Sequence, residues 1–229
     1  TLCNFDKQKY FMATKKKLTS DSIITSYMEY VLENNSQPSS VYAFAKENKI
    51  KEIEFYEHFV NFDSLEQSIF KAFFDNAFDV LEKSTEYKTY DTRNKLLSFY
   101  YTFFEILTLN RSYVVYALKH KNNDFKKLKT LVKLKKRFVL FIQHLDIALI
   151  DLSQVNFEKI QNKSLQESAW LQLLFTMKFW LEDSSASFEK TDIFIEKAVN
   201  ASFDLIDVKP LKGILDFGKF LYKEKMQMS

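Results

Sequence analysis

Residues 44–65 read FAKENKIKEIEFYEHFVNFDSL, and this stretch decides the fold of the N-terminal third of the chain. Its apolar side chains recur at helical spacing on either side of one short polar break. The pattern predicts one short helix over residues 41–48, a second over 51–59, and a longer helix that Asp63 can cap. Residues 20–34 show the same spacing. We therefore predict three short helices followed by a longer one.

The composition of the whole chain extends this prediction to an all-α fold. Only 2 Gly and 2 Pro occur in 229 residues, whereas there are 24 Phe and 12 Tyr. Tight hairpins and phosphate-binding loops need glycine at positive φ, so the composition argues against both. The apolar content is sufficient for a sizeable core. Further helices are predicted at about residues 93–109, 112–120, 125–152, 164–181 (with Ser164 and Glu167 as a capping box) and up to 206.

Three short segments carry a resemblance to a known family. Residues 44–50 are similar to the second helix and turn of the TetR family of bacterial transcriptional regulators. Residues 55–59 are similar to the aromatic-Tyr-x-His-Phe signature of its recognition helix, and 61–65 follow the family pattern less closely. The resemblance implies a TetR-like helix-turn-helix domain and a larger helical domain that binds a ligand and dimerises. We expect a flexible tail at 1–17, the helix-turn-helix domain at 18–66, and the C-terminal domain at 67–229.

The resemblance also implies DNA contacts, although several family positions are altered. Lys49 replaces a usual glycine, Lys51 a capping Ser or Thr, Ile53 a small residue, Glu54 a Thr or Ser, and Phe62 a phosphate-contacting lysine. Tyr56 and His58 are either DNA contacts or ordinary structural residues. The candidate DNA-contacting residues are Lys15, Lys16 and Lys17 in the tail, together with Lys49, Lys51, Tyr56 and His58.

Charge makes the expected DNA contact an open question. Residues 40–66 contain three lysines and six acidic residues, a net charge of −3. DNA binding draws much of its affinity from cations that displace phosphate counterions. Two interpretations fit: the tail lysines compensate and DNA binding persists, or the family's DNA binding has been lost.

A basic segment lies later in the chain, from Lys119 to Arg137. It contains nine basic residues and one acid, Asp124. One interpretation is a solvated helix face. The other is a binding patch for an anionic membrane surface or an acidic protein partner.

The aromatic residues of the C-terminal region suggest a small apolar ligand, unless they simply fill the core. In TetR-like proteins this domain encloses an apolar pocket, which here would suit an acyl or isoprenoid chain. The candidate pocket residues are Phe99, Phe103, Phe104, Tyr113, Tyr116, Phe138, Phe141 and Phe175.

The last two long helices are similar to the family's dimer-forming pair. The helix predicted at 164–181 has one apolar stripe that includes Trp170 and a second formed by Leu171, Phe175 and Phe179, more than one core requires. We therefore expect a homodimer with a four-helix interface. The candidate interface residues are Trp170, Leu174, Met177, Leu181, Phe194, Ala198, Ala201 and Leu205.

Other functional classes find no support in the sequence. Cys3 is the single cysteine, and neither an apolar run of membrane-spanning length nor a secretory signal occurs, which favours a cytoplasmic protein. The three histidines are scattered, and there is no phosphate loop or nucleophile motif. We expect no enzymatic activity, no metal and no cofactor.

Three functions remain as interpretations. The first is a homodimeric, ligand-responsive TetR-like transcriptional regulator. The second is a TetR-fold protein that has lost DNA binding and acts as a lipid- or isoprenoid-binding accessory protein, by analogy with the TetR-like lipid-binding protein of coenzyme Q biosynthesis. The third is a helical adaptor that binds a protein partner through the basic segment.

Overall fold

The protein is all-α, and its residues divide into two compact units. The structure is a computed structural model that describes residues 18–119, 128–145, 147 and 155–207, with backbone alone at 155–160 and 206–207. These residues form helices and contain no β-strand. The first unit ends at Phe62 and the second begins at Asp63.

Three short helices build the first unit: α1 (Ser20–Asn34), α2 (Val41–Glu47) and α3 (Glu52–Tyr56). Side-chain caps fix where the first two begin. The Thr19 hydroxyl accepts from the Ser22 amide at 3.2 Å and the Ser22 hydroxyl accepts from the Thr19 amide at 3.1 Å, a reciprocal capping box. The Ser40 hydroxyl accepts from the Ala43 amide at 3.1 Å and caps α2.

Four aromatic rings form the centre of this unit. Phe62 touches the other three, with ring centroids 5.4 Å from Tyr27, 5.8 Å from Phe44 and 5.5 Å from Phe55. All four side chains are buried. Phe62 occupies the position at which the family resemblance implies a phosphate-contacting lysine. Here it completes the core, so this departure exchanges a DNA contact for packing.

The second unit contains the longer helices. After α4 (Phe62–Lys83), whose first residue closes the first unit, come α5 (Thr85–Thr89), α6 (Thr92–Leu109), α7 (Arg111–Lys119), α8 (Val132–His144), α9 (Val155–Glu182) and α10 (Glu189–Asp207). Helix α9 packs against α8 and α10, and α10 also packs against α6.

The structure corrects two predicted helix starts and adds one helix. Helix α4 begins at Phe62, so Asp63 lies in its first turn and not at the capping position before it. Helix α9 begins at Val155, so Ser164 and Glu167 lie inside it and form no capping box at its start. The Glu167 carboxylate instead accepts from the Lys135 ammonium at 2.7 Å. The short helix α5 was not predicted; it begins where the Ser84 hydroxyl accepts from the Tyr87 amide at 3.3 Å. Parts of the predicted helix over 125–152 lie outside the described residues.

Phenylalanine rings fill the centre of the second unit. Phe99 lies 4.7 Å from Phe141, 5.0 Å from Phe74 and 5.5 Å from Phe103 between ring centroids. Phe138 joins the same cluster at 5.7 Å from Phe99. Aromatic contacts of this kind add to the free energy gained from burial alone.

The turn between α9 and α10 is held by polar contacts. The Asp183 carboxylate accepts from the amide and hydroxyl of Ser185, at 2.8 and 2.7 Å, and from those of Thr191, at 3.0 and 2.7 Å. The guanidinium of Arg111 lies 4.5 Å from the ring centroids of both Trp180 and Phe188. These contacts hold Phe188 in a left-handed conformation (φ 61°) that is unusual for an aromatic residue.

Candidate functional site

The turn between α2 and α3 contains a non-glycine residue in the left-handed region. Lys49 has φ 55°, at the position where the family usually has glycine. The Lys49 amide donates to the Lys46 carbonyl at 3.3 Å, and the Ile50 amide donates to the Ala45 carbonyl at 3.0 Å. The turn therefore keeps its geometry at the steric cost of a side chain in this conformation.

Helix α3 and the residues on either side of it expose several of the predicted DNA-contacting side chains. Lys49, Lys51 and His58 are exposed, and Tyr56 is 47% exposed. The Lys51 amide donates to the Glu54 carboxylate at 2.6 Å, so Glu54 caps the helix from the position where the family has Thr or Ser.

Tyr56 is coupled to an acidic neighbour. Its hydroxyl donates to the Glu52 carboxylate at 3.3 Å. Partial desolvation, followed by the charge of Glu52 and this hydrogen bond, raises the pKa of the Tyr56 hydroxyl. The one hydroxyl proton is therefore used by Glu52, and Tyr56 would have to give up this hydrogen bond to donate to a phosphate oxygen.

The described part of this unit is acidic. Residues 18–62 contain three lysines and seven acidic residues, a net charge of −4. The candidate arm of Lys15, Lys16 and Lys17 lies outside the described residues. Any contact with DNA phosphates by residues 18–62 would therefore depend on a few cations within a repulsive field.

The basic segment is largely engaged within the second unit. Lys129 pairs with Asp63 at 2.9 Å, Arg137 with Asp75 at 2.7 Å, and Lys135 with Glu167 at 2.7 Å. Lys133 donates to the Ser68 hydroxyl at 2.8 Å and to the Ser64 carbonyl at 3.2 Å. Desolvation, then Lys71 and Lys136, lowers the pKa of Lys133.

These contacts correct the interpretation of the segment as one continuous binding patch. They join α8 and the turn before it to α4 and α9. Among the segment's described basic residues, Lys119, Lys129 and Lys136 are exposed, and Lys129 is paired with Asp63. Lys121, Lys126 and Lys127 lie outside the described residues. The structure therefore gives little support to the adaptor function based on this segment.

The predicted ligand-pocket residues do not surround one cavity. Most are core residues: Phe99, Phe103, Phe104, Tyr113, Phe138 and Phe141 are buried, and Tyr116 is half-buried. Burial, then Glu66 and Tyr116, raises the pKa of Tyr113 well above its ordinary value. Phe175 lies elsewhere, 63% exposed. The expectation of a single pocket lined by this set is wrong, because the rings pack on one another.

An apolar groove of about 920 Å³ lies between α9 and α10. Leu96 of α6 and Ile142 of α8 contribute to its lining. Leu171, Phe175 and Leu205 line it and are 50%, 63% and 61% exposed. A contiguous apolar surface of this kind is typical of a face that another molecule covers.

The groove corrects the expected dimer-forming face of α9. Trp170 and Met177 are buried within their own chain, and the ring centroids of Trp170 and Phe138 are 6.4 Å apart. The exposed face of α9 instead carries Leu171 and Phe175. Among the other candidate residues, Leu174, Leu181, Phe194 and Ala198 are half-buried, and Ala201 and Leu205 are exposed.

A second cavity, the α4–α8 cavity, has a volume of about 460 Å³. Its apolar lining comes from Phe74, Phe78, Tyr87, Leu140, Phe141 and Leu145. Charged and polar side chains complete it, namely Glu82, Lys88, Lys95, Arg137 and His144. This cavity is not predictable from the residue pattern, because its residues come from four helices and from Leu145, which follows α8.

Neither a metal site nor a membrane span is found among the described residues. They contain no grouping of three or more His, Cys, Asp or Glu side chains able to hold a metal ion. None of the described helices combines the length and apolar character needed to cross a bilayer.

Comparison with family models adds a second line of evidence to the sequence resemblance described above. A model described as a tetracyclin repressor-like C-terminal domain matches residues 95–221, more than half of the chain. No curated protein matches the chain significantly. The match covers α7 to α10 and most of α6, whereas the helix-turn-helix resemblance rests on residues 44–65, so the two signals come from separate parts of the chain. The chain belongs to the TetR family.

Proposed function

We propose that the protein is a cytoplasmic, homodimeric transcriptional regulator that binds DNA through its first unit and responds to a small apolar ligand. Membership of the TetR family supports a regulator of this kind. The observation that carries the DNA-binding proposal is the preserved buried scaffold of the first unit together with the exposed side chains of Lys49, Lys51, Tyr56 and His58.

The proposed contacts have separate roles. Lys49 and Lys51 neutralise phosphates, while Tyr56 and His58 donate hydrogen bonds to the backbone of the duplex. Lys15, Lys16 and Lys17 form a basic arm that compensates for the acidic charge of residues 18–62. Because the salt dependence of DNA binding scales with the number of phosphates that cations neutralise, we expect affinity to fall as salt is raised, with a slope set by these few lysines.

The DNA-binding proposal is tested by gel shift against fragments of the protein's own genomic neighbourhood. We expect a retarded complex at low salt that Tyr56→Ala and Lys51→Ala each weaken by about ten-fold. Tyr101→Ala and Lys83→Ala, which alter comparable exposed side chains of the second unit, are the matched controls. Equal weakening by the controls, or the absence of any complex at low salt, would contradict the proposal.

We further propose that dimerisation covers the α9–α10 groove. Its exposed Leu171, Phe175 and Leu205 supply the apolar surface that a two-fold interface would bury. Phe175→Glu is expected to yield monomers in light scattering coupled to size exclusion. Val80→Glu alters another exposed apolar side chain, on α4, and should leave the dimer intact. A wild-type monomer at micromolar concentration would rule this interface out.

A second candidate function is a lipid- or isoprenoid-binding accessory protein without DNA binding. The net charge of −4 over residues 18–62 favours it, because such a surface repels phosphates. Mass spectrometry of lipid extracted from the purified chain separates the two functions. Co-purified lipid together with no DNA retained at low salt would favour this second candidate.

A further inference from the structure

The α4–α8 cavity combines an apolar lining with cations that have little opposing charge. Lys88 and Lys95 make no side-chain hydrogen bond or ion pair with the part of the chain that the structure describes. Among the described residues that line the cavity, Glu82 is the one carboxylate, against Lys88, Lys95 and Arg137. The cavity therefore suits a molecule with an apolar body and a single negative end.

We propose that the α4–α8 cavity binds a free amphipathic carboxylate, of the fatty-acid class, with its chain on the aromatic lining and its carboxylate at Lys88, Lys95 and Arg137. The volume of about 460 Å³ falls within the range of small-molecule sites. This proposal rests on the ligand response proposed above and names the chemical class of that ligand and its site.

Arg137 gives the site a connection to α4. Its Nε–H donates to the Asp75 carboxylate at 2.7 Å, and its guanidinium carbon lies 5.6 Å from the centroid of the Phe74 ring. The two terminal nitrogens of the guanidinium carry four further donors. Arg137 lines the cavity, so a turn of its guanidinium away from Asp75 would bring these donors to a ligand carboxylate.

Asp75 would keep a cationic partner if Arg137 left it for a ligand carboxylate. It also pairs with the Lys71 ammonium one helical turn earlier on α4. When Arg137 turns toward a ligand carboxylate, Lys71 continues to compensate the Asp75 charge. The exchange thus carries no penalty for an unpaired buried ion, and it loosens one contact between α8 and α4.

The test is calorimetric titration of the full chain with decanoate, and with decanol as the uncharged match. We expect decanoate to bind, decanol to bind about ten-fold more weakly, and Lys88→Gln/Lys95→Gln to lower decanoate affinity by about ten-fold. Lys83→Gln/Lys190→Gln removes two exposed lysines outside the cavity and should leave the affinity unchanged. Equal affinities for decanoate and decanol, or equal effects of the two double variants, would overturn the proposal.

Two more variants test whether decanoate lies in this cavity and meets Arg137 there. Leu140→Glu places a negative charge at a half-exposed lining position and should weaken decanoate binding. Asp75→Asn releases Arg137 and should tighten it several-fold; unchanged or weaker binding would overturn the exchange at Arg137. Loss of decanoate binding in Phe175→Glu, with full binding in Lys88→Gln/Lys95→Gln, would move the ligand to the α9–α10 groove and overturn the assignment.

The source of the carboxylate and the dependence on DNA are tested separately. The protein should not bind vesicles containing phosphatidylglycerol through Lys88 and Lys95. If these lysines bind the vesicles and decanoate does not bind, the cavity is a site for a membrane surface and the proposal is overturned. The titrations contain no DNA. If decanoate fails to bind while a DNA complex forms, only the ligand assignment falls. Decanoate binding without a DNA complex instead contradicts the regulator.

Discussion

The first unit is built from short helices around four touching aromatic rings, whereas the second is built from long helices with apolar side chains on more than one side. In the first, Tyr27, Phe44, Phe55, Phe59 and Phe62 are buried, and the surface is acidic overall, with single exposed side chains such as Tyr42, Ile53 and Val60. In the second, α9 fills the core with Trp170 and Met177 and still exposes Leu171 and Phe175. The first unit therefore offers a partner mainly charge and hydrogen bonds, whereas the second offers the contiguous apolar surface of the α9–α10 groove.

The strongest test of this comparison removes one core ring from each unit. Phe44 and Phe103 are both fully buried, so Phe44→Ala and Phe103→Ala should each cost about 3–5 kcal/mol. The chain's two tryptophans, Trp170 and Trp180, both lie in the second unit. In urea unfolding, Phe103→Ala should therefore shift the fluorescence transition, and Phe44→Ala should shift only the far-UV circular dichroism.

Tyr42→Ala is the control for the first unit, because this aromatic ring is largely exposed. Its unfolding free energy should stay within about 0.5 kcal/mol of the wild type. An equal shift of fluorescence and circular dichroism in Phe44→Ala would show that the two units unfold together and would contradict their description as separate cores.

A second, smaller effect concerns the turn that positions α10 on α9. Burial alone would raise the pKa of Asp183, but hydrogen bonds from Thr191 and Ser185 outweigh it and lower the pKa from 3.8 to about 2. Because the folded-state pKa lies below the unfolded one, ionised Asp183 stabilises the fold above about pH 4. That contribution is lost as the pH falls through about 2.

The measurement is the denaturation midpoint, followed by tryptophan fluorescence, between about pH 5 and pH 2. Asp183→Asn should be less stable than wild type at the upper end and should lose less stability on acidification. Asp79→Asn, at an exposed position of α4, should follow the wild-type profile. If the denaturation midpoint of Asp183→Asn falls with pH as steeply as that of the wild type, groups other than Asp183 cause the acid sensitivity.

The residue pattern predicted the first unit more fully than the second, for a physical reason. Each short helix there has one apolar stripe, so spacing alone identifies Ala45 and Phe55 as core. The role of Phe62 was missed, because comparison with the family treats that position as a DNA contact. On α9 both stripes are apolar, and only tertiary packing decides that Trp170 faces inward and Phe175 outward.

Charge patterns were similarly incomplete as predictors of the site. A run of basic residues indicates a cationic helix face, but it does not show that Arg137 and Lys129 meet Asp75 and Asp63 of α4, more than 60 positions earlier. The α4–α8 cavity is equally non-local. Lys88 and Lys95 belong to no sequence motif, and only the fold brings them next to an aromatic lining.

The smallest effect is expected at Lys49, where the backbone conformation favours glycine and DNA binding favours lysine. A lysine with φ 55° is strained, so Lys49→Gly should stabilise the first unit by up to about 1 kcal/mol, measured by circular dichroism. Asn35→Gly is the matched control at φ 48°; asparagine tolerates this conformation, so its gain should be smaller. If Lys49 is kept for its charge, Lys49→Gly should also weaken DNA binding and lower the salt slope by about one unit. A variant that gains stability while DNA binding keeps its affinity and its salt slope would show that the charge of Lys49 contacts no phosphate, and that the acidic surface of the first unit serves another purpose.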